Sequence, residues 1–264
     1  MSGPVAEHRL GGLRRAASGR ADPVGLVAAS ANPGGTTPGT PRGGEMPDHP
    51  KLAVVEAVHS AILRGEYAPG QRLVEIDLCE RFGTSRFIAR SALQELSAQG
   101  LVEFERNRGA RVRAISLAEA IEITEVRRML EGHLAARAAE RATRAQAAAL
   151  RAAVTDMRAA VERSELLRYS DLNARLHAAI RDISGHETGA RLLRQLRDQT
   201  VRHQFTLALV PGRPAVSLPQ HEAIVAAVTA RDAAGAEQAM RAHLQSVIEA
   251  LQELGTVVVA MAEG

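Results

Sequence analysis

Two arginines at the start of a short, apolar-striped segment are the first side chains whose spacing suggests chemistry. Arg86 and Arg90 lie four residues apart, so on a helix they share one face. Apolar residues recur with helical spacing on another face: Ile88, Ala89, Ala92, Leu93 and Leu96. Thr84 and Ser85 precede the segment, as polar residues do at a helix N-cap. This pattern is typical of the helix that enters the major groove in a helix-turn-helix protein.

Three of the nine histidines have positions that suggest a metal site. His221 lies ten residues before a predicted helix break at residues 231–232, and His243 lies eleven residues after it. In an antiparallel helical hairpin both stand at the same level, roughly 15 Å from the turn. His177 lies on a third predicted helix, and three imidazoles that face one another fit a divalent cation. The alternative is three unrelated core histidines, each satisfied by hydrogen bonds.

The composition favours a helical protein. The chain of 264 residues is 45% hydrophobic but only 2% aromatic, with no Trp. Its core must therefore be built from Ala, Leu, Val and Ile, which favours helices over a β-sandwich. The 33 Lys and Arg residues and a net charge of +3 allow a localised basic patch for phosphates.

Cellular location is indicated by cysteine content and by the lack of long apolar runs. The single cysteine, Cys79, excludes an internal disulfide framework and fits a reducing compartment. No apolar run approaches the roughly 18 residues of a membrane span, and no signal-peptide pattern opens the chain. We therefore expect a cytoplasmic protein without a membrane partner.

Residues 1–45 differ in composition from the rest of the chain. They hold ten of the 22 glycines and a dense Pro/Gly/Thr cluster, so they cannot build a core. We expect a disordered extension. Because Met46 follows at once, a start codon at Met46 is the alternative to a flexible arm.

Between residues 46 and 115 the patterns predict three helices and a β-hairpin. Expected helices run from about Leu52 to Gly65, over 75–82 and over 85–99. Two alternating segments then flank Asn107-Arg108-Gly109, which is typical of a hairpin tip. This order of elements describes a winged helix-turn-helix domain.

The winged-helix order gives the arginines of the third helix a role. Two arginines on an isolated helix are more often a solvated charged face, but the flanking elements favour DNA reading by Arg86 and Arg90. We expect Thr84 and Ser85 to help hold the DNA backbone. The wing tip at Arg108 and Gly109 is expected to contact the backbone or the minor groove.

After Ile115 the strand signals end and helical patterns take over. We expect an antiparallel bundle of about six helices over 116–255, followed by a tail over 256–264. The expected helices are 117–142, 144–163, 165–184, 187–209, 218–231 and 233–253. The fold class is therefore mainly α: an N-terminal winged helix-turn-helix followed by the bundle.

These two regions resemble the GntR-type transcriptional regulators. Residues 51–115 look like the DNA-binding domain of that family, and 117–253 look like the helical FCD effector domain of its FadR-like subgroup. The residues that carry the resemblance are Gly65, Pro69-Gly70-Gln-Arg-Leu73, Leu78, Phe82-Gly83-Thr-Ser-Arg86, Arg90-Ser-Ala-Leu93, Leu96, Gly100-Leu101-Val102, Gly109 and Val112. The chain departs from the family pattern at Ile88, where Pro is usual, and at Ser91, where Glu is common.

The resemblance implies an Asp/His/His/His metal site, which falls here on Asn173, His177, His221 and His243. Asn173 is a departure, because an amide oxygen is a neutral and weaker ligand than a carboxylate. A divalent ion such as zinc, nickel or manganese is the expected cofactor. The pocket can alternatively bind its effector without metal.

The effector implied by the resemblance is a small carboxylic acid. Arg127 matches a family position that can face the cavity, and Arg202 on the fourth bundle helix is a second candidate anion partner. An arginine fork can hold a carboxylate through two hydrogen bonds. For each residue the alternative is a surface arginine.

The sequence therefore predicts a ligand-responsive regulator, a repressor, that binds a palindromic DNA operator as a homodimer. The first alternative is a metal-dependent enzyme built on the helical domain. Against it, the chain has no obvious general base, no His-Glu-x-x-His motif, no phosphate loop and no nucleophile motif. The second alternative is an architectural module without a small-molecule input.

Overall fold

The structure, a computed structural model, describes residues 49–262, with side chains described through residue 256. The expected extension over 1–45 and the question of Met46 lie outside this range. Within it are ten helices and one three-stranded sheet. None of these helices combines the length and the apolar character that a membrane crossing requires.

The N-terminal part is a winged helix-turn-helix, as predicted. Its elements are α1 (Pro50–Leu63), β1 (Arg72–Leu73), α2 (Glu75–Phe82), α3 (Arg86–Ala98), β2 (Val102–Glu105) and β3 (Gly109–Val112). Strand β3 lies between β1 and β2 and pairs antiparallel with both. The two-residue strand β1 was not predicted, because it is too short to show an alternating pattern.

Local signals fix the position of α3. Gly83 ends α2 in the left-handed conformation, with φ 60°, which a glycine adopts without steric penalty. Ser85 is the N-cap of α3, and its side chain accepts a hydrogen bond from the Ile88 amide at 3.3 Å. The apolar face of α3 packs into a core of its own domain, formed with α1, α2 and the sheet. Its opposite face is left exposed.

The C-terminal part is an all-helical bundle. Its elements are α4 (Leu117–Arg141), α5 (Arg144–Glu162), α6 (Leu166–Ile183), α7 (Glu187–Gln199), α8 (Val201–Ala208), α9 (Arg213–Thr229) and α10 (Ala233–Ala262). Small and aliphatic side chains of α4, α5, α6, α9 and α10 form one apolar core. This core holds the three histidine-bearing helices, α6, α9 and α10, against α4.

Three helix boundaries differ from the prediction. The segment expected as one helix over 187–209 breaks at Thr200, whose hydroxyl donates to the carbonyls of Leu196 and Arg197. Helix α9 begins at Arg213 rather than 218, because a proline is tolerated in the first helical turn. Helix α10 continues to Ala262, since Gly255 lowers helix propensity without ending the helix. Residues 256–262 of the expected tail are therefore helical.

The last turn of α7 joins the bundle to the winged helix. Gln195 and Gln199 donate side-chain hydrogen bonds to the carbonyls of Ala98 and Gln99 at 3.1 and 2.9 Å. These carbonyls lie at the C-terminal end of α3, where the helix itself supplies no partner. Asp198 lies 2.9 Å from Nε2 of His59 on α1 and raises the pKa of that imidazole by hydrogen bonding. The C-terminal end of α3 is thus held against the bundle by side-chain hydrogen bonds from α7.

Candidate metal centre and DNA-reading surface

Three buried histidines meet inside the bundle. His177 comes from α6, His221 from α9 and His243 from α10, and one ring nitrogen from each lies within 4.8 Å of the others. The ring centroids of His221 and His243 are 4.3 Å apart, and His177 lies 5.4 and 5.3 Å from them. The α9–α10 hairpin places His221 and His243 level with each other, because it turns about midway between them.

Each imidazole uses its Nδ1 to contact a surrounding polar side chain. The Nδ1 atoms of His177, His221 and His243 lie 2.7 Å from Glu131 Oε2, 3.2 Å from the Tyr169 hydroxyl and 2.9 Å from Gln220 Oε1. The Nε2 atoms of His177 and His221 are 3.3 Å apart. Partners on the outer nitrogen fix the tautomer and ring orientation of metal-binding histidines in this way.

Burial keeps the three imidazoles neutral. Desolvation lowers the pKa of His221 and His243 well below the usual value, and the neighbouring imidazoles lower it further. Burial also lowers the pKa of His177, although the charge of Glu131 opposes the shift. The neutral form is the one that binds a metal ion.

Asn173 lies one helical turn before His177 and lines the same cavity. Its Oδ1 atom is buried and has no hydrogen-bond partner within the described residues. Three imidazole nitrogens and one amide oxygen form a donor set that fits zinc, nickel or manganese. Asp171 does not replace the missing carboxylate, because it is exposed and pairs with Arg175 at 2.9 Å.

Glu131 is a central residue of the site that the sequence analysis missed. Its Oε1 accepts hydrogen bonds from Nε and Nη2 of Arg127 at 2.9 and 2.8 Å, while Oε2 faces His177. Arg197 lies 3.9 Å from the same carboxylate. Burial alone would raise the pKa of Glu131, but Arg127 and His177 outweigh it and hold that pKa well below its usual range. Arg127 therefore lines the cavity as the partner of a buried carboxylate.

The expectation for Arg202 is corrected, because its side chain is exposed on α8 and does not line the cavity. Arg202 lies on α8, which begins after the break at Thr200, and not on α7. Arg197 of α7 and Arg213 of α9 line the cavity instead. Burial lowers the pKa of Arg197 to about 10, which still leaves it charged at neutral pH.

The cavity beside the histidines is small and lined by cations. Water molecules have about 60 Å³ of space in it, room for roughly four of them. The lining includes the three histidines together with Arg127, Tyr169, Asn173, Arg197 and Arg213. This arrangement can hold a metal ion and a small anion.

The exposed side of α3 carries the other set of candidate residues. Ser85, Arg86 and Arg90 are exposed, and Arg90 is 3.8 Å from Glu75 in a surface pair. Phe87, between the two arginines, is 82% exposed. Such an exposed aromatic side chain contributes nothing to the core of this domain, and helical periodicity alone gave no signal for it.

The remaining DNA-site candidates flank α3 and the sheet. Thr84 is half-buried in the turn before α3. Arg108 and Gly109 lie at the β2–β3 tip, where Arg108 is exposed and Gly109 has φ 82°. The tip therefore presents a cation at the end of the wing.

Comparison with known proteins identifies both parts of the chain. Residues 50–112 match the family described as bacterial regulatory proteins, gntR family, and residues 122–246 match the FCD domain. The HTH-type transcriptional repressor RspR of Escherichia coli (strain K12) is 29% identical over 187 residues, which cover 71% of this chain and 82% of that protein. The HTH-type transcriptional regulator LutR of Bacillus subtilis (strain 168) is 30% identical over 211 residues, covering 72% and 95%.

A solved structure supports the fold. E. coli McbR/YncC superimposes with a TM-score of 0.64 at 21% sequence identity, covering 77% of this chain and 97% of that one. At this identity the similarity concerns the fold alone.

Proposed function

We propose below how DNA binding by this chain is regulated. The premise is that the chain belongs to the GntR family of bacterial regulatory proteins and carries their FCD domain. It is a DNA-binding regulator of transcription. The families and relatives that it matches are regulators rather than enzymes, so the enzyme alternative is set aside. In our proposal it is a cytoplasmic repressor that binds a palindromic operator as a homodimer and responds to a small carboxylic acid held in the bundle.

The observation that carries this proposal is the convergence of three neutral imidazoles beside buried arginines. Each histidine has its Nδ1 in contact with a polar side chain, so Nε2 is the nitrogen through which each ring would bind a shared ion. The ion would replace the present contact between Nε2 of His177 and Nε2 of His221. His177, His221 and His243 would hold a divalent metal, with the orphaned Asn173 Oδ1 as a weak fourth ligand. The ion, when bound, supplies a Lewis-acidic position for the carboxylate of the effector.

Arg197 offers a route from the effector site to the DNA-reading helix. Its guanidinium lies 3.9 Å from Glu131 inside the bundle, while its neighbours Asp198 and Gln199 contact α1 and the end of α3. An anion that draws Arg197 away from Glu131 would shift the last turn of α7. The two DNA-binding domains of a dimer would then change their relative positions, which biases operator binding.

At the DNA, Arg86 and Arg90 would read base edges from the major groove, and Thr84, Ser85, Arg108 and Gly109 would hold the backbone or enter the minor groove. The exposed Phe87 adds an apolar surface suited to thymine methyl groups. If so, the wild type should bind an operator with thymine at one position more tightly than the same operator with uracil there. Phe87→Ala should bind the two operators equally. The same preference for thymine in the wild type and in Phe87→Ala would contradict this contact.

Metal binding tests the effector site without knowledge of the operator. Chelator-treated protein should gain stability when zinc, nickel or manganese is added. At one hundred times Kd the gain is about 2.7 kcal/mol, a rise in Tm of roughly 5–10 °C for a chain of this size. His221→Ala should abolish the rise, while His133→Ala should keep it, because His133 is exposed.

Adding propionate or succinate to the metal-loaded protein should raise Tm further. A wild type that no metal and no short carboxylic acid stabilises would contradict the proposal. So would an equal metal response in His221→Ala.

A further inference from the structure

Arg213 is a cationic side chain of the cavity whose bonding is incomplete. It opens α9 and lines the cavity together with Tyr169 and Ser217. Its Nη1 donates to Ser246 Oγ at 2.9 Å. Its Nη2 is buried and has no hydrogen-bond partner anywhere in the described range.

A buried guanidinium nitrogen without a partner is unfavourable, because it has lost its hydration and gained nothing in return. Burial lowers the pKa of Arg213, and electrostatic interactions with Tyr169, Glu253 and Glu249 only partly oppose the shift. An acceptor that arrives with a ligand would restore the missing bond. A carboxylate does so best, since a charge-assisted hydrogen bond is about twice as strong as a neutral one.

The charge of the cavity also favours more than one negative group. Arg127, Arg197 and Arg213 line it, while Glu131 is the carboxylate that contacts Arg127 and Arg197. With neutral imidazoles, the three cations and one anion of the lining leave a formal charge of +2, and a divalent ion would raise it to +4. Glu249 and Glu253, exposed beside Arg213, offset part of this charge at the surface. One carboxylate would leave most of this charge uncompensated in a buried site.

We propose that the effector is a short dicarboxylic acid, with one carboxylate at the histidine cluster and the second on Nη2 of Arg213. This inference rests on the proposed function, because it names the class of acid that the same cavity takes. The cavity has about 60 Å³ of space for water, room for roughly four molecules, so a short acid is the one we propose.

Calorimetric titration of the full chain loaded with zinc tests the proposal with matched pairs of acids. Succinate and butyrate share a four-carbon chain, and malonate and propionate share a three-carbon chain, so each pair differs by one carboxylate. The wild type should bind the diacid at least tenfold more tightly than the monoacid of each pair. Arg213→Gln should weaken diacid binding about 10- to 100-fold and leave monoacid binding unchanged.

Two further variants keep the test decisive. Arg202→Gln removes an exposed arginine of α8 and should change neither affinity. Arg213→Lys keeps the charge and should retain part of the diacid preference, so it replaces Arg213→Gln if that variant does not fold.

The outcomes separate this inference from the proposed function. Equal affinities for diacid and monoacid in the wild type, or equal weakening of both by Arg213→Gln, would overturn the Arg213 subsite while leaving a carboxylate-responsive regulator intact. Binding of neither class, with or without zinc, would overturn the proposed function and the subsite together.

Discussion

Replacing Glu131 with Gln should weaken both the fold and metal binding, because this carboxylate accepts hydrogen bonds from two partners. Arg127 donates to one oxygen through Nε and Nη2, and Nδ1 of His177 lies 2.7 Å from the other. A Gln side chain has the same size but only one accepting oxygen. If its amide nitrogen faces Arg127, two donors meet. If the nitrogen faces His177, the imidazole must accept at Nδ1 and carry its proton on Nε2, the wrong tautomer for a metal.

The burial of this ion pair sets the size of the effect. The side chains of Arg127 and Glu131 are 4% and 2% exposed. Removing one charge from such a pair leaves the other uncompensated, so the free energy of unfolding should fall by about 3–5 kcal/mol. Loss of a group that orients a metal ligand should lower metal affinity about 10- to 100-fold.

Glu222 provides a matched control at the surface. It accepts hydrogen bonds from Nε and Nη2 of Arg158, the same two-pronged contact, but these side chains are 35% and 52% exposed. Glu222→Gln should therefore cost at most about 1 kcal/mol and leave metal affinity unchanged.

Urea unfolding in the presence of chelator, and metal competition in its absence, measure the two effects of Glu131→Gln. The reasoning would be refuted by a variant that unfolds within about 1 kcal/mol of Glu222→Gln and binds zinc as the wild type does. A loss of stability with unchanged metal affinity would refute the tautomer argument alone.

Three further predictions concern the reading helix, the fourth ligand and pH. Arg86→Ala or Arg90→Ala should weaken specific operator binding by about 1–3 kcal/mol, measured by fluorescence anisotropy, and leave the circular dichroism spectrum unchanged. Wild-type affinity in both variants would show that these residues do not contribute to operator recognition. Asn173→Asp should strengthen zinc binding in chelator competition, because it supplies a charged ligand oxygen, and no gain would argue against a ligand at this position. In metal-free protein the folded-state pKa values of His221 and His243 lie below the usual 6.5, so the unfolded chain binds more protons near pH 6. Stability should therefore be full above about pH 6.5 and fall as the pH is lowered below it; urea titrations with a flat profile between pH 7 and pH 5 would contradict this.

The winged helix was predictable because its signals are local. A glycine ends α2, Ser85 caps α3, and the apolar stripe of α3 defines its buried face. The level positions of His221 and His243 were also predictable, since they follow from counting residues on either side of one turn.

The rest of the site could not be predicted in the same way. Arg127 and Glu131 are spaced as any surface ion pair on a helix, and only the packing of α4 against its neighbours shows that this pair is buried. The break at Thr200 contains neither glycine nor proline, so one helix was predicted where the structure has two. Arg202 was proposed as an anion partner although it is exposed, and Arg197, which lines the cavity, was missed. Arg213 lay in a segment expected to be a loop, whereas the structure makes it the first residue of α9.

Operator binding measured with and without acid tests the central claim most directly. The DNA would be selected from a random pool by the zinc-loaded wild type, and its affinity measured by fluorescence anisotropy with added succinate. We predict that succinate changes the operator Kd of the wild type at least tenfold. His243→Ala should bind the operator with unchanged basal affinity and show no response to succinate. A response to succinate in His243→Ala equal to that of the wild type would contradict control through the histidine cavity.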